Sequence, residues 1–302
     1  MNSARSILSA LLIFGGHLSA EVLYVSNHDS GFISTHDPVT GAVLNAQFIA
    51  TPGQPHGMLR LGDELLVASW TGSSRIARHD ANTGALLGIF ADATSSLNHP
   101  VDLRIGPDGL LWVTSQGNGR INRYDLPTGT PQTPFIVGEA HLLAPSGMTF
   151  SPDGTRFFVT DRFDGEVLEY SVATGAYVQT LADFTAEAFG IRWGGDAKLY
   201  IGSGGLRRVN PDVPFSPSQV AAGGYSIGVE LGFDGHIYFA DYGGDALRSY
   251  DPFLGVDEGI LVSGAPLSGP NFFHFAIPEP AASMLVLSAL PSVCARRRRL
   301  RP

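Results

Sequence analysis

Eight polar residues recur at one place in a repeating frame and could between them form a site: His56, His99, Asp102, Ser146, Glu187, Tyr225, Ser226 and Asn271. Each stands where a new unit of roughly 40–46 residues opens. Imidazole, carboxylate, hydroxyl and amide groups that converge from different units can bind a polar ligand, and no cofactor is otherwise implied beyond a possible divalent cation. The same groups can instead bond their own loops, and His56 beside Gly57 and His99 beside Pro100 suit that role equally. His28, His36, His79, His141, His236 and His274 are scattered and suggest no common site. Trp70, next to a turn, is the aromatic residue best placed to stack on a carbohydrate. There is no His-Glu-x-x-His pair and no phosphate-binding loop, and no catalytic residue is assigned.

The elements that would position these residues are short strands. The unit His99–Gly138 and the unit Ala144–Phe184 each break into four apolar runs separated by turn residues. Opening strands share an apolar-x-apolar core at Leu59/Leu61, Leu103/Ile105, Met148/Phe150, Ile191/Trp193 and Val229/Leu231, with a sixth at Phe273/Phe275. Asp-Gly pairs at Asp108-Gly109, Asp153-Gly154 and Asp234-Gly235 follow, where a tight hairpin needs positive φ, so these carboxylates read as turn residues. Asp161 and Asp241, just past second strands, are expected to bond nearby amides. Thr-Gly turns at 40–41, 83–84, 128–129 and 174–175 precede the fourth strands. The unit from about Glu187 to Gly224 has PDVPFSPSQ there instead, which predicts a distorted outer edge.

Five full units and one divided unit make six. The segment Glu21–Thr51 lacks an opening strand, and the orphan run Phe272–Ile277 supplies one. The predicted fold is therefore all-β, a six-bladed β-propeller whose closing blade is shared between the two ends of residues 21–277. Runs of five or six residues rich in Val, Tyr, Phe and Trp, broken by Gly and Pro, exclude a helical solenoid.

Composition bounds the rest. The 302 residues are 44% hydrophobic and 16% charged, which excludes a disordered chain. Residues 21–277 hold 27 acidic against 13 basic residues, and a surface of that sign repels phosphate backbones, excluding nucleic acid as a partner. Residues 1–20 place Arg5 ahead of an apolar run from Ile7 to Phe14 and then Ser19 and Ala20, the order of a secretory signal. Residues 278–302 begin Pro278-Glu279-Pro280, continue through an uncharged run from Ala281 to Ala295, and end on Arg296, Arg297, Arg298 and Arg299, a block costly to move across a membrane. Cys294, the sole cysteine, lies in that run, so the domain has no disulfide.

Two resemblances follow. The tail is similar to the PEP-CTERM sorting signal, which implies cleavage by an exosortase-like membrane protease, transient insertion in the inner membrane, and delivery to the cell surface or extracellular matrix. FSPDGTRFFVTD with EVLEYSVATG resembles the YVTN repeat, and GPDGLLWVTSQGNGRINRYDLPTG resembles NHL and lactonase-like propellers. That resemblance implies a central channel whose mouth carries the site. Gluconolactonase-type members hold a metal there with an acidic opening-strand residue plus Asn and Asp; this chain lacks their Glu-Gly-Pro opening. Pro55-His56-Gly57 is reminiscent of the streptogramin-lyase type. The expected role is a noncatalytic binding or scaffold module for a matrix polysaccharide, a small ligand or a surface protein. The alternative is a metal-assisted hydrolase or lyase at the channel mouth.

Overall fold

The computed structural model of the chain describes residues 22–72 and 74–276; the signal-like segment and the arginine-ended tail lie outside them. Within these bounds the chain forms six sheets arranged as blades. Blade 1 joins Pro270–Ala276 to Val22–Asn27, Phe32–His36 and Val43–Ala50. Blades 2 to 6 then follow in chain order, their inner strands being Pro55–Leu61, Pro100–Ile105, Pro145–Phe150, Ile191–Trp193 and Ser226–Leu231. The predicted six-bladed propeller is the observed fold.

Blade 1 closes the ring. Leu23 pairs with Phe275 and Val25 with Phe273, so the first and last described strands lie antiparallel in one sheet. Ser26 tightens the seam: its Oγ donates to the Phe272 carbonyl at 2.8 Å and accepts the Phe272 N–H at 2.9 Å. Each blade face then meets a neighbour. Leu66 of blade 2 packs with Leu103 and Val113 of blade 3, and Trp112 of blade 3 with Met148 and Phe157 of blade 4. Leu23 and Phe273 of blade 1 pack with Tyr238 and Leu247 of blade 6, so the apolar layers continue across the closure.

The turns explain why the strands stop where they do. At the third-to-fourth strand turn of blade 2, the Asp80 carboxylate accepts the amides of Asn82 and Thr83 and the Thr83 hydroxyl, at 3.0, 2.7 and 2.9 Å. Gly84 completes that turn at φ 76°, and a Cβ there would lie 2.4 Å from the Phe48 carbonyl of blade 1, so only glycine fits. At the first-to-second strand turns, Asp108 accepts from Trp112 Nε1 at 2.8 Å and Asp234 from the Tyr238 hydroxyl at 2.8 Å, which is the expected turn role. Asp161 accepts the amides of Leu143 and Ala144, tying the incoming loop to its blade.

Two outer edges are irregular. Blade 5 has strands of three or four residues, and its outer one is delayed to Ser218–Ala221, matching the predicted distortion. Blade 3 differs from expectation: beyond Arg120–Tyr124 the fourth strand is reduced to two bridges, Ile121 with Ile136 and Tyr124 with Pro131. Pro131 and Pro134 have no N–H to give a ladder, which is why the pairing does not extend.

The closure is open to a direct test. Phe273 is 4% exposed and Val39 is 77% exposed. Phe273→Ala is expected to lower the unfolding free energy by about 3–5 kcal/mol, whereas Val39→Ala should stay within about 0.5 kcal/mol. Denaturant titration followed by circular dichroism compares them, and equal midpoints would mean that the ring is not sealed at this seam.

Candidate functional site

The inner strands carry an anchor residue that pairs with its neighbour strand: Met58 with Val67, Leu103 with Val113, Met148 with Val159, Ile191 with Ile201, Val229 with Phe239, and Phe273 with Val25. Two residues before each anchor stand His56, Val101, Ser146, Phe189, Ile227 and Asn271, and all six line one cavity at the channel mouth. They are its floor. The residue directly after each second strand is His28, Trp70, Gln116, Arg162, Ser203 or Tyr242, and all but the buried Ser203 line the same cavity as its wall. Tyr225 and Phe272 complete a cup of about 230 Å³. Every blade contributes.

Floor and wall together carry an almost continuous run of rings. From Phe189 to Tyr225, Tyr242, His28, His56, Trp70 and His99, successive centroids are separated by 4.9, 5.9, 5.8, 5.5, 5.6 and 4.8 Å. The Arg162 guanidinium lies 5.2 Å from the Phe189 ring centre, as in a cation–π contact. Beneath the rings, Val101, Phe189, Ile227 and Phe272 form a buried apolar cluster against which Trp70 and Tyr242 pack. The cup is mostly aromatic and aliphatic.

Its polar groups divide into paired and unpaired sets. Arg162 Nε donates to Glu187 Oε1 at 3.0 Å, and the Tyr225 hydroxyl donates to the other Glu187 oxygen, so this cation and carboxylate neutralise each other. Burial, and then the Glu187 bond, push the Tyr225 hydroxyl up to about 12, so it stays protonated. On the opposite wall Asp29 accepts from the Tyr242 hydroxyl at 2.5 Å and lies 3.0 Å from His28 Nδ1; those bonds hold its carboxyl below the ordinary value. The unpaired set lies just under the floor surface: both nitrogens of His56, Ser146 Oγ and Asn271 Oδ1 are buried without a hydrogen-bond partner among the described residues. Burial, and then the nearby His28, Arg162 and His99, hold His56 well below its usual 6.5, so its imidazole is neutral near pH 7.

Of the eight nominated residues, the structure brings His56, Ser146, Tyr225 and Asn271 into the cup. His99 stands beside it against Trp70, in the left-handed region at φ 51°, and Glu187 stands behind Arg162. Ser226 is fully buried and off the lining. Asp102 lies on the other side of the channel constriction, where Arg192 reaches it at 3.1 Å and bonds Glu230 at 3.1 Å. Arg104 also bonds Glu230, at 2.8 Å, so the channel is filled there by a buried ionic network. Sequence reasoning missed His28, Gln116, Arg162 and Tyr242. Their shared signal is positional: each directly follows a second strand.

A resident metal of the gluconolactonase type does not fit this lining. The floor ring offers one imidazole, one hydroxyl and one amide, and its other three members are Val101, Phe189 and Ile227. The nearby carboxylates are committed, Glu187 to Arg162 and Asp29 to Tyr242. Among the described residues no group of three or more His, Cys, Asp or Glu side chains could hold a metal ion.

Fold and cup together define a β-propeller with a ring-lined cavity at its channel mouth. The chain belongs to the SMP-30/Gluconolactonase/LRE-like family, whose region its residues 17–197 match. No curated protein matches the sequence. Among solved structures, the nidogen/laminin complex contains a chain with a TM-score of 0.70 at 13% identity, over 86% of this chain and 100% of that one. A protein from Lactobacillus plantarum has a TM-score of 0.62 at 17% identity, over 85% and 99%. Virginiamycin B lyase from Staphylococcus aureus has a TM-score of 0.53 at 15% identity, over 72% and 73%. At these identities the likeness is one of fold.

The depressed basicity of His56 makes stability depend on pH. Its native pKa lies below the unfolded 6.5, so below that pH the unfolded chain binds a proton the native state refuses, and stability falls as the solution is acidified. His56→Gln removes this titration. The variant is expected to lose less unfolding free energy than the parent between about pH 7.5 and about pH 5, read from denaturant midpoints at both values; a parallel decline in the two proteins would contradict the assignment.

Proposed function

We propose that the protein is an exported β-propeller that acts as a noncatalytic binding module, with the mouth cup holding a small ligand. The cup itself carries this reading: a ring-walled cavity with buried apolar residues and unpaired polar atoms at its floor is built like a binding pocket. The signal-like order of residues 1–20 and the PEP-CTERM-like tail support export to the cell surface or matrix, with an exosortase-like protease as processing partner. A matrix polysaccharide or a surface protein would meet the exposed loops around the cup. Family membership favours a second reading, metal-assisted hydrolysis or elimination at the same mouth. The donor set speaks against it.

Trp70 provides the readout. It lines the cup, whereas Trp112 is 1% exposed within a blade core. A small-molecule screen by tryptophan fluorescence should find ligands whose signal disappears in Trp70→Phe and is unchanged by a chelator. Incubated lactones should be recovered intact. Stoichiometric bound metal together with metal-dependent turnover of any screened compound would replace the binding reading with the enzymatic one.

A further inference from the structure

We infer that the ligand of the mouth cup is a neutral, planar aromatic molecule bearing one or two hydrogen-bonding substituents, of the phenol or aromatic-amide class. This rests on the binding reading and adds the chemistry of the occupant. Size comes first: about 230 Å³ is below the roughly 300–1,000 Å³ of pockets for drug-sized ligands, which suits a single ring. Shape follows from the wall, where Tyr225, Tyr242 and His28 meet edge to face at 5.8–5.9 Å, an arrangement a flat ring can extend by offset or edge contacts.

Charge and polarity exclude three competitors. A carboxylate would need a free cation, but Arg162 is matched by Glu187, and the acidic protein repels anions from a distance. An ammonium ion would need a free carboxylate, but Glu187 is bonded to Arg162 and Tyr225, and Asp29 to Tyr242. A sugar carries hydroxyls around its whole rim, and those turned toward Val101, Ile227 and Phe272 would be stripped of water and buried unpaired. A ring with one or two polar groups avoids that cost. Its apolar edges face Val101, Phe189 and Ile227, one substituent faces the adjacent His56 and Asn271, and a second faces Ser146 across the ring. There the unpaired atoms become partners after a side-chain rotation. His56 can both give and take one hydrogen bond when neutral, as a hydroxyl or amide requires.

The test titrates the full-length protein, by calorimetry and tryptophan fluorescence, with 4-hydroxybenzamide and 4-methylphenol as neutral aromatic probes. The comparison probes are 4-hydroxybenzoate, choline, methyl glucoside and gluconolactone. At least one neutral aromatic probe should bind tenfold or more tightly than every comparison probe. Tyr242→Ala should weaken it at least tenfold and Tyr242→Phe by less than about threefold, because the ring is retained. Ser146→Ala, which removes only an unpaired hydroxyl, should weaken 4-hydroxybenzamide, whose two polar groups reach both sides of the floor, roughly three- to tenfold. No binding of either neutral aromatic probe overturns the inference. So does tighter binding of an anion, cation or sugar that Tyr242→Ala abolishes, although the cup would then remain a binding site. Metal-dependent consumption of gluconolactone overturns the underlying reading as well.

Discussion

The propeller depends on how closely its inner strands approach one another. The residue before each inner-strand anchor is Gly57, Asp102, Gly147, Gly190, Gly228 or Phe272, one from each blade. A Cβ on Gly57 would lie 2.3 Å from the Val101 carbonyl, and one on Gly228 would lie 2.4 Å from the Asn271 carbonyl. The strands touch there through backbone alone: Gly147 N–H donates to Phe189 at 3.0 Å and Gly190 N–H to Ile227 at 2.7 Å. Four glycines in one ring therefore draw the channel shut. Where the ring is not glycine, the side chains leave it in opposite senses. Phe272 joins the cup, and Asp102 joins Arg192, Arg104 and Glu230 beyond it.

That constriction gives the mouth cavity a floor and separates two kinds of burial. On the far side, charges are buried as a mutually bonded set spanning blades 3, 5 and 6; such a network is weak evidence for stability but fixes how the blades are turned. On the mouth side, polar atoms are buried without partners beneath rings. The first arrangement is complete in itself. The second leaves hydrogen-bonding capacity unused, and unused capacity under a cavity is what a ligand can exploit. With the channel shut, anything that occupies the cup must come and go by the same opening.

The blade count was legible because it rests on local chemistry: the apolar-x-apolar opening strand, which occurs six times, and the Asp-Gly hairpins and Thr-Gly turns between strands, each acting over a few residues. Closure was legible by subtraction, since Phe273 and Phe275 had no unit of their own. The outer edge of blade 3 was not, because the Thr-Gly turn at 128–129 signals a fourth strand that Pro131 and Pro134 then prevent. The floor of the cup was half legible. Ser146 and Asn271 were found by their place in the frame, but Asp102 was grouped with them although it is one residue further along its strand, and one residue reverses the direction of a side chain. Of the wall only Trp70 is legible in the sequence, as an aromatic residue beside a turn; His28, Gln116, Arg162 and Tyr242 share its address and no chemistry. His28 even read as one of several scattered histidines.

The same addresses explain how one family fold can hold sites of different chemistry. Two positions per blade, one before the constriction and one after the second strand, supply eleven of the thirteen lining residues, and neither falls in the Asp-Gly or Thr-Gly turns that define the repeat. Side chains there can be exchanged without disturbing the repeat, so membership in the family fixes the scaffold while those positions fix the chemistry. In this chain Val101, Phe189 and Ile227 occupy half of the floor, His56 is held neutral by burial, and each nearby carboxylate is bonded to a wall residue. Those choices remove anionic oxygen from the cup and replace it with rings. The physical distinction between a metal-assisted mouth and an aromatic one is therefore made at a few side chains, and here they favour contact with an uncharged ring over coordination of a cation.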